Sequence, residues 1–70
     1  VLPTGDEIRP VGTDTAPGEI LDTNSLMLAG QAHEHGCEAM CLPIEPDDPA
    51  RIVAAARAAA DTADLVVLIA

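Results

Sequence analysis

Residues 48–70 read DPARIVAAARAAADTADLVVLIA, and this stretch decides the fold. Asp48 offers a capping carboxylate, and Pro49 suits the first helical position, where a missing N–H leaves no hydrogen bond unmade. From Ala50 to Thr62 alanine dominates, and alanine is the best helix former. Ile52, Ala56, Ala59, Ala60 and Ala63 fall on one face, which predicts a helix that packs closely on what lies beneath it. Residues 64 to 69 are apolar after Asp64 and show no polar alternation, the pattern of a parallel strand covered on both faces. The run is far short of the ~18 apolar residues that a membrane span needs. It has no polar exit, which predicts a buried strand whose next loop lies beyond the chain. At the other end the chain opens on Val1-Leu2 without a methionine, again as expected for a segment of a longer protein.

Working back from Asp48, Pro43, Pro46 and Pro49 punctuate the chain, and Cys37 to Leu42 before them reads as a short apolar strand. Gly36 precedes it, at a place where a left-handed residue often ends a helix. That helix is predicted from about Asp22-Thr23-Asn24-Ser25, which offers several N-caps, to about His35. Leu26, Ala29, Gly30 and His33 form its stripe at i, i+3, i+4 and i+7. Residues 8 to 22 carry Gly12, Pro17 and Gly18 among scattered Thr and Asp, and read as an irregular excursion with a short strand at Ile8 to Val11. Pro3-Thr4-Gly5-Asp6-Glu7 reads as a turn leaving a first, short apolar strand.

The resulting order is strand, loop, helix, strand, helix, strand. Two consecutive βαβ units predict an α/β fold: three α/β/α layers around a mostly parallel sheet with right-handed crossovers. Ligands of such sheets sit beyond the carboxyl ends of the strands. Glu7 comes after the first strand and Asp47-Asp48 after the second, so parallel strands place these acids on one rim. A loop after Ala70 would join them there.

The composition limits the partners. The formal charge is −9, from 3 basic and 12 acidic residues, which argues against nucleic acid and anionic membrane surfaces. An anionic ligand would need a bridging cation, or basic groups from outside these residues. No aromatic residue is present, so Leu, Ile, Val and Ala must make the core. A chain of this size is marginal without further partners. Two cysteines do not make a disulfide framework, and no signal peptide is visible; the cytoplasm is the default compartment.

Pro3-Thr4-Gly5-Asp6-Glu7, Pro17-Gly18-Glu19-Ile20, Asp22-Thr23-Asn24, Gly36-Cys37-Glu38, Asp47-Asp48 and Ala63-Asp64-Leu65-Val66-Val67, in this order and spacing, resemble the molybdopterin-binding domain of the molybdopterin molybdenumtransferases. The likeness covers nearly the whole chain. Related domains occur in molybdopterin adenylyltransferases and competence-damage-inducible proteins; the long loop from Glu7 to Asp22, with Pro-Gly before Ile20, is similar to the molybdenumtransferases. The resemblance implies the last step of molybdenum cofactor synthesis, in which molybdate enters the dithiolene of adenylylated molybdopterin and AMP leaves. It also implies a magnesium ion, a homodimer with a shared site, and completion of the site by the rest of the parent chain. That completion includes a Gly-Gly-Ser-x-Gly loop expected directly after Ala70. Glu7 and Asp47 match the family's functional acids and are the expected catalytic residues. Glu7, Asp47 and Asp48 are the expected metal ligands, and Thr4, Gly5, Asp6 and Asn24 the expected contacts to molybdopterin. Pro43-Ile44-Glu45-Pro46 departs from the family pattern, where a glycine is more usual.

The residues also carry plainer readings. Asp48 is first a helix cap, Glu7 an exposed turn acid, Asn24 a cap or loop brace, and Thr4 and Gly5 shapers of a turn. His33, His35, Cys37 and Cys41 lack the tight paired spacing of structural zinc sites. Cys37 and Cys41 read as small buried hydrophobes, too far apart along one strand for a disulfide. Beside the enzyme stand two other functions. One is a module that holds molybdopterin without catalysis. The other is a nucleotide pyrophosphatase like the competence proteins.

Overall fold

The computed structural model describes residues 1–70. Its elements are β1 (Leu2–Pro3), β2 (Ile8–Arg9), β3 (Ile20–Leu21), α1 (Thr23–Glu34), α2 (Pro49–Ala60) and β4 (Leu68–Ile69). β1 is the centre of the principal sheet. On one side it pairs parallel with β4, Leu2 opposite Leu68 and Pro3 opposite Ile69. On the other it meets the segment that leads into α2, with Thr4 opposite Glu45 in a parallel bridge. All three segments of this sheet therefore run one way, as the expected α/β fold with parallel strands requires.

The strand expected over Cys37 to Leu42 is not formed as such. Cys37 to Met40 lie outside any strand, and pairing begins later. The Val1 nitrogen donates to the Met40 carbonyl (2.7 Å), and the Val1 carbonyl accepts from Leu42 (2.8 Å); Val1 thus sits opposite Cys41. Further on, Glu45 N–H donates to the Pro3 carbonyl (2.9 Å), and the Glu45 carbonyl accepts from Gly5 N–H (3.0 Å). Three steps along β1, from Val1 to Thr4, are matched by four along the partner, from Cys41 to Glu45. The extra residue is a bulge at Pro43-Ile44. Its cause is covalent, because proline has no N–H to give the ladder. The register recovers at Glu45, two residues before Asp47.

The helices cover opposite faces. Cys41 Sγ donates to the Ser25 carbonyl of α1 (3.6 Å). Leu2 and Leu42 instead share a groove with Ala55, Ala58 and Ala59 of α2. Adjacent residues of an extended chain point to opposite sides, so α1 and α2 make the two outer layers. Asp22 caps α1, accepting from Ser25 N–H (3.1 Å). The other end is a Schellman turn: Cys37 N–H reaches the Ala32 carbonyl (2.9 Å) and Gly36 N–H the His33 carbonyl (3.0 Å). Gly36 takes the left-handed φ of 81° that this turn requires. The covered face of α1 is Ser25, Leu28, Ala29 and Ala32, whereas Leu26, Gly30 and His33 of the expected stripe are exposed. That stripe is offset by one residue from the real one. In α2 the covered face is Ile52, Ala55, Ala56 and Ala59; Ala60 and Ala63 of the expected face are exposed.

The excursion from residue 8 to 22 is more regular than its composition suggests. β2 ends at Arg9 rather than Val11, and pairs parallel with β3, Ile8 opposite Ile20 and Arg9 opposite Leu21. Composition rich in turn formers hid β3, since a two-residue strand carries no period. β4 is shorter and more open than expected: only Leu68–Ile69 is strand, Leu65 is 78% exposed and Leu68 50%. Within residues 1–70 β4 has one neighbour, β1, and nothing pairs with its far edge. Cys37 and Cys41 are free and exposed, a correction to their reading as buried hydrophobes. They come after the helix on a segment that only partly joins the sheet. No helix is long and apolar enough to cross a membrane.

Asp48 accepts from Ala50 N–H (3.1 Å), with Pro49 at the start of α2. Replacing Asp48 by alanine should cost about 1 kcal/mol of stability, and by asparagine much less, because both Asp and Asn cap well. Thermal melts of the two variants check this.

Candidate functional site

Burial concentrates where β1 ends. Of the 6 buried residues, five lie between Leu2 and Ile8, namely Leu2, Pro3, Thr4, Gly5 and Ile8, and Ser25 is the sixth. The acids on the rim thus stand on the best-packed part of the chain. That is the setting a site needs, because rigid support keeps side chains in place.

Thr4 and Gly5 shape the approach to the rim. Thr4 is 3% exposed. Its N–H and its hydroxyl both donate to the Ile69 carbonyl, each at 2.8 Å, so its side chain ties β1 to β4. Gly5 is buried with φ at 140°, a conformation that side chains other than glycine's hydrogen rarely adopt. A methyl group there would lie 3.1 Å and 3.2 Å from the two carboxylate oxygens of Glu7 and 3.2 Å from Ile8 Cδ1. Glu7 therefore folds back over Gly5, while remaining exposed.

Across the rim Asp6 and Asp47 clasp each other. Asp47 N–H donates to Asp6 Oδ1 (3.1 Å), and Asp6 N–H donates to Asp47 Oδ2 (3.4 Å). Forty-one residues separate them in sequence; they meet because the two segments run parallel and end at one level. Each carboxylate keeps a second oxygen, Oδ2 of Asp6 and Oδ1 of Asp47, outside this clasp. Asp48 points its carboxylate into the first turn of α2 instead. Asn24 stands exposed at the second position of α1, and capping there falls to Asp22.

No three His, Cys, Asp or Glu side chains converge on a point that could hold a metal. Asp6, Glu7 and Asp47 nonetheless offer carboxylate oxygens at one end of the sheet. This donor set fits magnesium, which is usually held by one or two carboxylates with phosphate and water oxygens completing its shell.

Sequence reading missed the residues that brace this rim. Glu45 clamps Pro3 and Gly5 through its backbone, and its side chain faces Arg51 Nε at 3.4 Å. Glu45 Oε2 is buried without a hydrogen bond, so the ion contact is close but misaligned. Arg9 faces Glu19 at 2.5 Å. Two of the 3 basic residues are therefore already engaged with carboxylates, and an anionic ligand finds little free positive charge here.

The family model described as a probable molybdopterin binding domain matches residues 1–70. The chain is 34% identical over 67 residues to molybdopterin molybdenumtransferase 2 of Mycobacterium tuberculosis, covering 96% of this chain and 16% of that protein. It is 39% identical over 67 residues to the molybdopterin molybdenumtransferase of Haemophilus influenzae, again over 96% of this chain and 17% of that one. Among solved structures, the molybdopterin biosynthesis MoeA protein from Pyrococcus horikosii superposes with a TM-score of 0.87 at 33% identity, over 96% of this chain and 17% of that chain. The chain thus spans about a sixth of the length of these relatives. With the family model matching residues 1–70 and the fold and the order of the motifs in agreement with it, the chain belongs to the molybdopterin-binding domain family.

Proposed function

We propose that this segment supplies part of the site of an enzyme that inserts molybdate into adenylylated molybdopterin. The observation that carries the reading is the clasp of Asp6 and Asp47 beside Glu7 at the carboxyl ends of two parallel segments. A pyrophosphate-linked ligand is anionic, and so is this rim. Without basic groups from the rest of the protein, a hard cation that prefers oxygen ligands would have to bring the two together. Glu7 and Asp47 are the residues assigned to hold it, through oxygens that no cap engages; Asp48 adjoins them and serves α2 first. A cation held there by Glu7 and Asp47 would supply charge neutralisation at the pyrophosphate. The chain's own residues keep the carboxylates at one level, since Thr4 locks β1 to β4 and the Glu45 backbone locks β1 to the approach of Asp47. Gly5 and Asp6 present backbone where the ligand would approach, and Asn24 offers an amide from α1.

The relatives with this segment are about six times longer, so the remainder of the site, its phosphate-binding loop and a second subunit of a homodimer belong to the complete protein. The experiment is to supply purified complete protein with adenylylated molybdopterin, molybdate and magnesium, and to measure AMP release together with cofactor formation. Both products are expected, and both should vanish when magnesium is chelated. Binding of molybdopterin without AMP release would replace the enzyme by a holding module. Hydrolysis without molybdenum insertion would replace it by a pyrophosphatase.

A further inference from the structure

Arginine carries five N–H donors in one plane, which lets a single side chain gather several acceptors. Arg9 ends β2, directly after the acidic turn. Its Nη1 donates to the Asp6 carbonyl (2.9 Å) and to the Ile8 carbonyl (2.9 Å). Its Nη2 faces Glu19 Oε2 at 2.5 Å. Glu19 is itself held, because its Oε1 accepts from Ala16 N–H (2.8 Å) and its own N–H donates to the Ala16 carbonyl (3.1 Å). Between the two carbonyls on Arg9 lies that of Glu7, which accepts from Ile20 N–H (2.8 Å). Three successive carbonyls, from Asp6 to Ile8, thus all have hydrogen-bond partners. The Asp6 N–H is left to Asp47 across the rim.

From this arrangement we infer that Arg9, fixed by Glu19, is a positioning residue for the acidic turn. It holds the peptide planes of Asp6 and Glu7, so that the Asp6 carboxylate meets Asp47 and the Glu7 carboxylate stays over Gly5. The inference rests on the function proposed above only for what the turn does, not for how it is held. Global stability is not the pair's purpose. The two side chains are 41% and 20% exposed, and a pair so placed adds at most about 1 kcal/mol. The same three contacts act locally, because residues 6 and 7 sit in a bend outside any strand.

The test uses the complete protein with Arg9→Gln, Arg9→Lys and Glu19→Gln. In Arg9→Gln, amide hydrogen exchange at Asp6, which donates to Asp47, and at Ile20, which donates to the Glu7 carbonyl, should rise about tenfold or more, as expected when a local opening is released. The melting temperature should stay close to that of the parent. The kcat for molybdate insertion should fall roughly 10- to 100-fold, the usual effect of losing a residue that supports ligands from behind, with KM changing less. Lysine should restore little, because a point charge cannot reach both carbonyls and Glu19 together. Glu19→Gln should be milder, since the amide oxygen still accepts from Ala16. Unchanged exchange at Asp6 and Ile20, or an Arg9→Lys variant equal to the parent, overturns the inference. Raised exchange there in a protein that never inserts molybdate upholds the positioning role and discards the proposed function instead.

Discussion

Alanine at Glu7 or at Asp47 should lower the rate of molybdate insertion by about two to four orders of magnitude in the complete protein, with little change in its melting temperature. The size reflects the role assigned to these acids. A bound cation contributes several kcal/mol of charge stabilisation, and each 1.36 kcal/mol is about tenfold in rate. The small effect on stability reflects exposure. Both residues are exposed, and substitutions at such places usually stay within about 0.5 kcal/mol. Asp47 adds one complication, because Asp6 N–H donates to its Oδ2 at 3.4 Å. Asp47→Asn separates the two roles: the amide oxygen can still accept from Asp6, while the negative charge is gone. The asparagine variant should therefore be nearly as inactive as the alanine variant. Rates within a few-fold of the parent in both Glu7→Ala and Asp47→Asn would end the assignment of these acids to the chemistry.

That this rim exists was legible in the sequence, for a physical reason. Asp48-Pro49 and Asp22 fix helix starts through local hydrogen bonds, and Gly36 fixes a helix end through a φ of 81°. Such signals need only a few neighbouring residues, so they survive without any tertiary knowledge. Once two helices are placed between apolar segments, the parallel order of the strands is set, and with it the common edge expected for Glu7 and Asp47; that Asp6 makes the clasp with Asp47 was not legible. The features that were not legible depend on contacts distant in sequence. The bulge at Pro43-Ile44 arises from the register against Val1 and Thr4. β3 exists only because Ile20 finds Glu7 and Arg9 finds Asp22. The covered stripe of α1 begins at Ser25 rather than Leu26, because the position of Cys41, not the pattern of the helix, sets its rotation. For the same reason the roles of Glu45 and Arg9 lay hidden: both act through backbone groups, which carry no residue-specific signature.

Gly5→Ala should be the most damaging change of a single atom group in the turn. Two effects combine there. The φ of 140° lies where residues with a Cβ are rarely found, and holding one in such a region costs on the order of 1–3 kcal/mol. The new methyl would also stand 3.1 Å and 3.2 Å from the oxygens of Glu7 and 3.2 Å from Ile8 Cδ1. Ile8 is buried at 8% exposure and can give little way, so Glu7 must swing off. Gly36→Ala is the matched control. Its φ is also positive, at 81°, yet nothing lies within 4 Å of the added group. That variant should lose stability, by about 1 kcal/mol for a left-handed residue with a Cβ, and keep its activity per folded molecule. Gly5→Ala should lose more stability and most of its activity as well, since the displaced carboxylate is one of the two proposed to hold the cation. Melting temperatures and molybdate insertion, measured on both variants of the complete protein, decide the matter. If Gly5→Ala matches Gly36→Ala in activity per folded molecule, then the place of Glu7 above Gly5 has no bearing on the reaction.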